Sequence, residues 1–523
     1  MKKWFQKGLA LTMAMSLFAV TLTGCGAKKE ASSDGGFSVT FGEPTNVENK
    51  ENLQHFYDRL NSLTDVTITY DLLSAGDGAD ALKLRFASGD YPEVIMGNFL
   101  QTSDVSKYAA NGILLPLDEY INETDTPNIY KFFEDYPKSK AANYLPDGHM
   151  YSLPQFVEYE PQYLENTIFV NKTWLDKLNL EIPKTMDDLL KVLRAFKTGD
   201  PNGNGQADEI GMSFLEKSGY QYPEALLSCW GVAAKSGAFD SYCTVKGGKV
   251  SFAPMMEEWK KMIKYYNTLY SEGLLDMECF THNNETFNSK MQADTSKIGV
   301  IWSQTCPMKN KDEYIAIEPL VAEEGVKPVW HIHPGIIGNR NVFSITNKCQ
   351  NPKAVMQWVD KMFTLENSLQ NMYGELDTTI KKNDDGTFSW IDPPAGKTQA
   401  GFQAENRMLS WVACIRAENI GTKIEMSDLW KQQGSQFELY KDFIDQEPWP
   451  RPYYSVEEAN RISELTTDIF KLVDEKKAKW ITGAEDVDKD WESYKQSLEN
   501  MGISELMEIN QKAYDRYIEK MPK

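Results

Sequence analysis

Short apolar runs separated by stretches of helical period constrain the fold of this 523-residue chain most tightly. Val39-Thr40-Phe41 reads as a strand, residues 50–63 as a helix, and residues 65–72 (DVTITYDL) as an alternating strand. Residues 79–87 are helical and stop at Ser88-Gly89-Asp90, and Val94-Ile95-Met96 is a short buried strand. This β-α-β-α-β order predicts a parallel sheet covered by helices, an α/β architecture. The rhythm recurs in residues 167–171 (TIFVN), a short helix over 172–178, and a longer helix opened by Thr185 and acidic first-turn residues. Leu189, Leu190, Leu193 and Phe196 form its buried stripe. Residues 298–302 (IGVIW) and 342–346 (VFSIT) are further strands, and Trp259 and Trp358 fall on helical core stripes.

A chain of this length exceeds one ordinary core and divides into two large lobes. Residues 380–400 and 445–455, rich in Gly, Pro and Asp, read as loops or connections between them. The net charge is −21. Nucleic-acid phosphates need a basic surface, so this balance argues against nucleic acid and against spreading on anionic lipid. The seven cysteines show no CxxC pair. Apart from Cys25 they read as buried free thiols, with Cys229 and Cys243 the nearest pair for a disulfide.

The N-terminus adds an address. Lys2, Lys3 and Lys7 precede an apolar stretch over residues 8–22, too short for a permanent span and shaped like a secretory signal. Leu22-Thr23-Gly24-Cys25 resembles the lipobox of bacterial lipoproteins, in which the cysteine becomes the lipidated N-terminus. Residues 1–24 are then a signal peptide, and residues 25–36 a lipidated cysteine and flexible tether. Removing the three lysines takes the net charge to about −24, by subtraction from the −21 of the full chain.

The sharpest chemical motif is residues 200–209, DPNGNGQADE. Asp200, Asn202, Asn204, Asp208 and Glu209 offer side-chain oxygens, Gln206 its main-chain carbonyl, and Gly205 permits the sharp turn. Calcium takes six to eight such oxygens in a compliant loop. The closing carboxylates sit at positions 9 and 10, unlike an EF-hand, and a bound calcium here is expected to be structural. His331 and His333 read as one strand face on the surface or in a cleft. No carboxylate or cysteine stands at suitable spacing to complete a transition-metal site.

Several segments in order resemble bacterial extracellular solute-binding lipoproteins of the carbohydrate-uptake (family 1), LipO-like kind. They are RFASGDYPEVIM (85–96), ANGILLPLDEYI (110–121), DGHMYSLP (147–154), the 167–189 segment, LYSEGLLD (269–276) and the 480–517 tail. The loop likewise resembles the DxNxNGxxDE loop of some solute-binding proteins. The resemblance implies a two-lobed periplasmic-binding-protein-like fold (type II) with the ligand between the lobes. Residues 37–160 plus about 328–385 would form lobe 1, and 161–327 plus about 386–523 lobe 2. It further implies an oligosaccharide ligand, delivery to an ABC permease and a monomer, lipid-anchored on the extracellular face of the cell membrane.

Sugars present flat C–H faces and hydroxyls, so aromatic rings with a few polar groups are the expected lining. Trp302 matches the place of a ligand-stacking tryptophan in related receptors. Asn98 follows a strand end at the expected cleft mouth, and Glu158 lies where the chain first crosses between lobes. Trp230, Trp330 and Trp411 are further candidates. A peptide or other small solute is the alternative ligand. An extracellular glycoside-acting enzyme is the rival class, although GxSxG and HExxH are absent and acidic pairs carry no signal among 76 acids. A calcium-dependent adhesion protein would carry many such loops, and only one is present.

Overall fold

The computed structural model describes residues 35–42, 57–74, 76–157, 159–333, 340–406, 414–416, 424, 426 and 428–522. The signal segment, Cys25, Glu158 and Trp411 lie outside the described residues.

The first sheet joins β1 (Phe37–Gly42), β2 (Ile68–Leu73), β3 (Val94–Met96) and the late strand Phe343–Ile345. β1 lies between β2 and β3 and is parallel to both; Phe343–Ile345 closes the edge antiparallel to β3. The predicted parallel β-α-β unit is therefore present, with a late antiparallel strand added by the returning chain. Val39, Phe41, Val94 and Met96 pack on Phe132, Val355 and Trp358 in one apolar layer. On the other face, Ile95 packs with Leu82 and Phe86 of the helix Gly78–Ser88.

The second sheet contains β4 (Thr167–Asn171), β5 (Ile210–Met212), β6 (Ile298–Ser303) and β7 (Tyr314–Ile317) in the order β7-β4-β6-β5. β4 runs antiparallel to both neighbours, and β5 runs parallel to β6. The helix Met186–Thr198 begins where Thr185 accepts from the Asp188 N–H at 3.0 Å. Asp187 and Asp188 favour its positive end. Its buried stripe is Met186, Leu189, Val192, Leu193 and Phe196, so Leu189, Leu193 and Phe196 do what their spacing predicts, whereas Leu190 is only half-buried. Each such side chain contributes roughly 1.5–3 kcal/mol on burial.

The long helix Val456–Thr482 starts in a Ser455–Glu458 capping box and ends at Gly483, whose φ of +77° is left-handed. Its Leu465, Ile469, Val473 and Trp480 join Trp259 and Tyr266 of the helix Glu257–Ser271 in the second core. Together these elements give the two-lobed α/β fold. Five free cysteines occur among the described residues, Cys229, Cys243, Cys279, Cys306 and Cys349. No described helix is long and apolar enough to cross a membrane.

Candidate functional site between the lobes

Three segments run between the lobes. Leu153 bridges Phe343 at the first lobe, and Leu164 bridges Ile332 at the second, both antiparallel. At both bridges, therefore, the chain leaving the first lobe pairs with the chain returning to it in the opposite direction. A third crossing starts where Trp330 pairs with Ile444. It ends at Tyr453, whose hydroxyl meets Asn341 and lies 3.2 Å from the Ser152 hydroxyl.

Charged side chains meet where these segments leave the second lobe. Glu165 accepts from Lys235 Nζ at 2.7 Å, and both are buried. His331 Nε2 lies 3.0 Å from Asp240 Oδ2, and its Nδ1 lies 3.3 Å from Glu165 Oε2. Arg451 Nε donates to the other oxygen of Asp240. Arg451 Nη1 lies 3.3 Å from His333 Nε2, and the His333 N–H donates to the Tyr163 carbonyl at 2.8 Å.

Burial by itself would raise both carboxyl groups. His331 and Lys235 around Glu165, and Arg451 and His331 around Asp240, outweigh it and hold both well below the usual range. Burial likewise opposes charge on His331, but Glu165 and Asp240 hold its pKa up at about 9. For His333, burial and then Arg451 push the pKa down to about 3. One histidine is thus a buried cation and the other, two residues away, is neutral.

This corrects the expectation of a shared strand face. His331 is buried, both histidines lie outside any strand, and carboxylates remote in sequence reach His331. No spacing rule connects Glu165, Asp240, His331 and Arg451. The visible sequence signals were His331-Ile-His333 and Trp449-Pro-Arg451-Pro452.

The tryptophans sit elsewhere in the packing. Trp302, on β6, is 1% exposed and donates its indole N–H to the Tyr222 carbonyl at 2.8 Å. Trp330 is also 1% exposed and donates to the Asn166 carbonyl at 2.7 Å. Trp230 shares that core and borders a cavity of about 590 Å³ with Met256, Pro328 and Phe443. Asn98 is exposed in the first lobe, just past β3. The fold brings the three tryptophans together in one core and keeps Asn98 apart from them.

The loop 200–209 leaves the helix Met186–Thr198 and leads into β5. Asp200, Gly203 and Gly205 have left-handed φ of 45°, 74° and 71°. This coil lets the Asp200 carboxylate accept the N–H groups of Gly203, Asn204 and Gly205, each at 3.1 Å. Asp208 Oδ1 accepts from the amides of Asn202 (2.9 Å) and Asn204 (3.0 Å), and its other oxygen lies 3.0 Å from Lys297. Glu209 Oε1 is buried without a hydrogen-bond partner, and burial, with Asp200 and Asp208 close by, raises its pKa. An orphaned buried carboxylate oxygen beside two more carboxylates fits a hard cation held by Asp200, Asn202, Asn204, Asp208, Glu209 and the Gln206 carbonyl. Among the described residues no three His, Cys, Asp or Glu side chains form a metal cluster by themselves. The loop's donors are mixed, with amides and a carbonyl.

The family model for bacterial extracellular solute-binding proteins matches residues 49–368, more than half of the chain. The chain belongs to the bacterial extracellular solute-binding proteins.

This solute-binding protein is 29% identical over 456 residues to the fructooligosaccharide ABC transporter substrate-binding protein FusA of Streptococcus pneumoniae, covering 84% of this chain and 83% of that one. The structure of a FusA EF-hand mutant with fructo-nystose has a TM-score of 0.75 at 26% identity, covering 92% of this chain and 99% of that one. An HMO-binding, ABC-transporter-associated solute-binding protein from Bifidobacterium longum infantis has a TM-score of 0.80 at 25% identity, covering 94% and 100%. The lipoprotein LipO of Bacillus subtilis is 26% identical over 306 residues, 57% of this chain and 55% of that one.

Proposed function

We propose that this protein is a lipid-anchored extracellular receptor that captures an oligosaccharide between its lobes and hands it to an ABC permease. The observation that carries the reading is the likeness to the fructooligosaccharide-binding protein FusA over more than four-fifths of both chains. The three crossing segments support it, because they leave the lobes free to hinge about a ligand. A ligand that binds the closed state better than the open one drives that closure.

Asn98 is exposed past the end of β3 and is a candidate ligand contact. Glu158 and Trp411 are candidates on their sequence positions. Trp302, Trp330 and Trp230 lie in the core of the second lobe. Their part in recognition is to hold the crossing segments that line the cleft, with stacking left to other rings. The 200–209 loop holds a structural calcium, whose positive charge gathers its carboxylates and amides. Cys25, after the lipobox-like segment, carries the lipid that keeps the receptor beside its permease, since two or more acyl chains anchor durably. The protein acts as a monomer and does no chemistry on its ligand. Small-angle scattering with and without a saturating oligosaccharide tests the mechanism: compaction is expected, and an unchanged radius of gyration would refute closure.

A further inference from the structure

We infer that His333 and Arg451 form a donor pair that hydrogen-bonds two acceptor oxygens of a glycosyl unit held between the lobes. The inference rests on the receptor reading above and adds where, and by which atoms, a sugar is gripped.

Arg451 Nη1 faces His333 Nε2 at 3.3 Å. A guanidinium only donates, so Nε2 is the acceptor and the imidazole proton sits on Nδ1. That Nδ1 is buried and has no hydrogen-bond partner. Arg451 Nη2 is likewise buried without one. Two adjacent donors therefore lack acceptors in a protein that satisfies most of its buried polar groups.

Three of the four neighbouring carboxylate oxygens are already engaged. Asp240 gives one oxygen to Arg451 Nε and the other to His331 Nε2. Glu165 Oε2 takes Lys235, and Glu165 Oε1 stays 3.7 Å from Arg451 Nη2, beyond hydrogen-bond distance. The Nε bond to Asp240 fixes the plane of the guanidinium, so the Nη2 edge, ion-paired with Glu165 but without a hydrogen bond, is held in place. Burial and Arg451 keep His333 neutral, which preserves the single Nδ1–H.

The backbone supplies a second observation. Arg451 has a left-handed φ of 49°, rare for a residue with a side chain, and lies between Pro450 and Pro452. A following proline disfavours the right-handed helical conformation. Such conformations persist where the surroundings impose them, and they cluster at ligand clamps. The pair also joins two of the segments that run between the lobes.

The required ligand chemistry is a pair of acceptor oxygens without a matching donor. Hydroxyl or ring oxygens of a neutral sugar supply it, and so does a uronic-acid carboxylate. Calorimetric titration of the mature protein with kestose, nystose, lacto-N-tetraose and trigalacturonate distinguishes these sources. For whichever sugar binds, His333→Phe and Arg451→Lys should each weaken affinity about tenfold to a hundredfold. His333→Asn, which keeps an amide N–H near the Nδ1 position, should stay within about threefold of wild type. Equal affinity of His333→Phe and Arg451→Lys to wild type would overturn this inference and leave the receptor reading intact. No binding of any of the four sugars by wild type would overturn both. If a substituted chain fails to fold, imidazole ¹H–¹⁵N spectra of the wild type decide, since the chain has five histidines. The His333 Nδ1–H signal should move on saturation, and an unmoved signal would overturn the inference.

Discussion

The buried cation at His331 gives the second lobe a stability term that depends on pH. Its pKa rises from an ordinary 6.5 to about 9 in the folded protein, because Glu165 and Asp240 prevail over burial. At ~1.36 kcal/mol per tenfold change in proton affinity, this corresponds to about 3 kcal/mol. A folded-state pKa raised above the unfolded value means that the native state holds the proton more tightly. The contribution is fully present below pH 6.5 and is lost as pH rises through 9. Other groups titrate in this range, so the test is a difference between two proteins. His331→Gln keeps an N–H for Asp240 but cannot carry the charge. Urea unfolding of wild type and His331→Gln, followed by far-UV circular dichroism from pH 6 to pH 9.5, gives a stability difference at each pH. That difference should shrink by about 3 kcal/mol across the range. A difference that stays flat, or grows with pH, would refute the ion-paired cation and the network built on it.

The neighbouring histidine has the opposite sign. Since the His333 pKa falls to about 3, its neutral form stabilises the fold above pH 6.5 and is penalised as pH falls. Relative to His333→Asn, wild type should therefore lose about 2 kcal/mol between pH 6.5 and pH 5, measured by the same unfolding series. Removing calcium with a chelator should lower the melting temperature and re-addition restore it. The stabilisation is about 2.7 kcal/mol at calcium a hundredfold above its Kd, and Asp200→Asn with Glu209→Gln should abolish the response in a thermal scan. Trp302→Ala should destabilise the second lobe by about 3–5 kcal/mol, because it empties a core site and leaves the Tyr222 carbonyl without its donor. Denaturant titration checks this, and a loss under 1 kcal/mol would contradict its core placement. Cys25→Ala should release the receptor into the medium with its ligand affinity unchanged, read by fractionating cells and titrating the released protein.

Much of the fold was legible because strand and helix periods are local properties. Residues 167–171 are the strand predicted, and residues 298–302 and 342–346 lie within a residue or so of the observed strands. Thr185 caps its helix as its residue type implies. Trp259 and Trp358 are core residues, and the spacing of their helices says so. The tight coil of residues 200–209 was legible because its two glycines, both with left-handed φ, lie within ten residues. The charged network was not, because Glu165, Asp240, His331 and Arg451 meet only after both lobes and three crossings are in place. Trp302 shows the limit of position alone. Its strand is plain in sequence, but the Tyr222 carbonyl that takes its indole N–H lies eighty residues away.

The receptor reading meets its most direct test in one calorimetric titration of the purified mature protein with the oligosaccharide panel, followed by chromatography of the recovered sugars. Saturable binding of at least one oligosaccharide, with every sugar recovered intact, is the predicted result. Released products, or no heat with any oligosaccharide alongside saturable binding of a peptide, would contradict it.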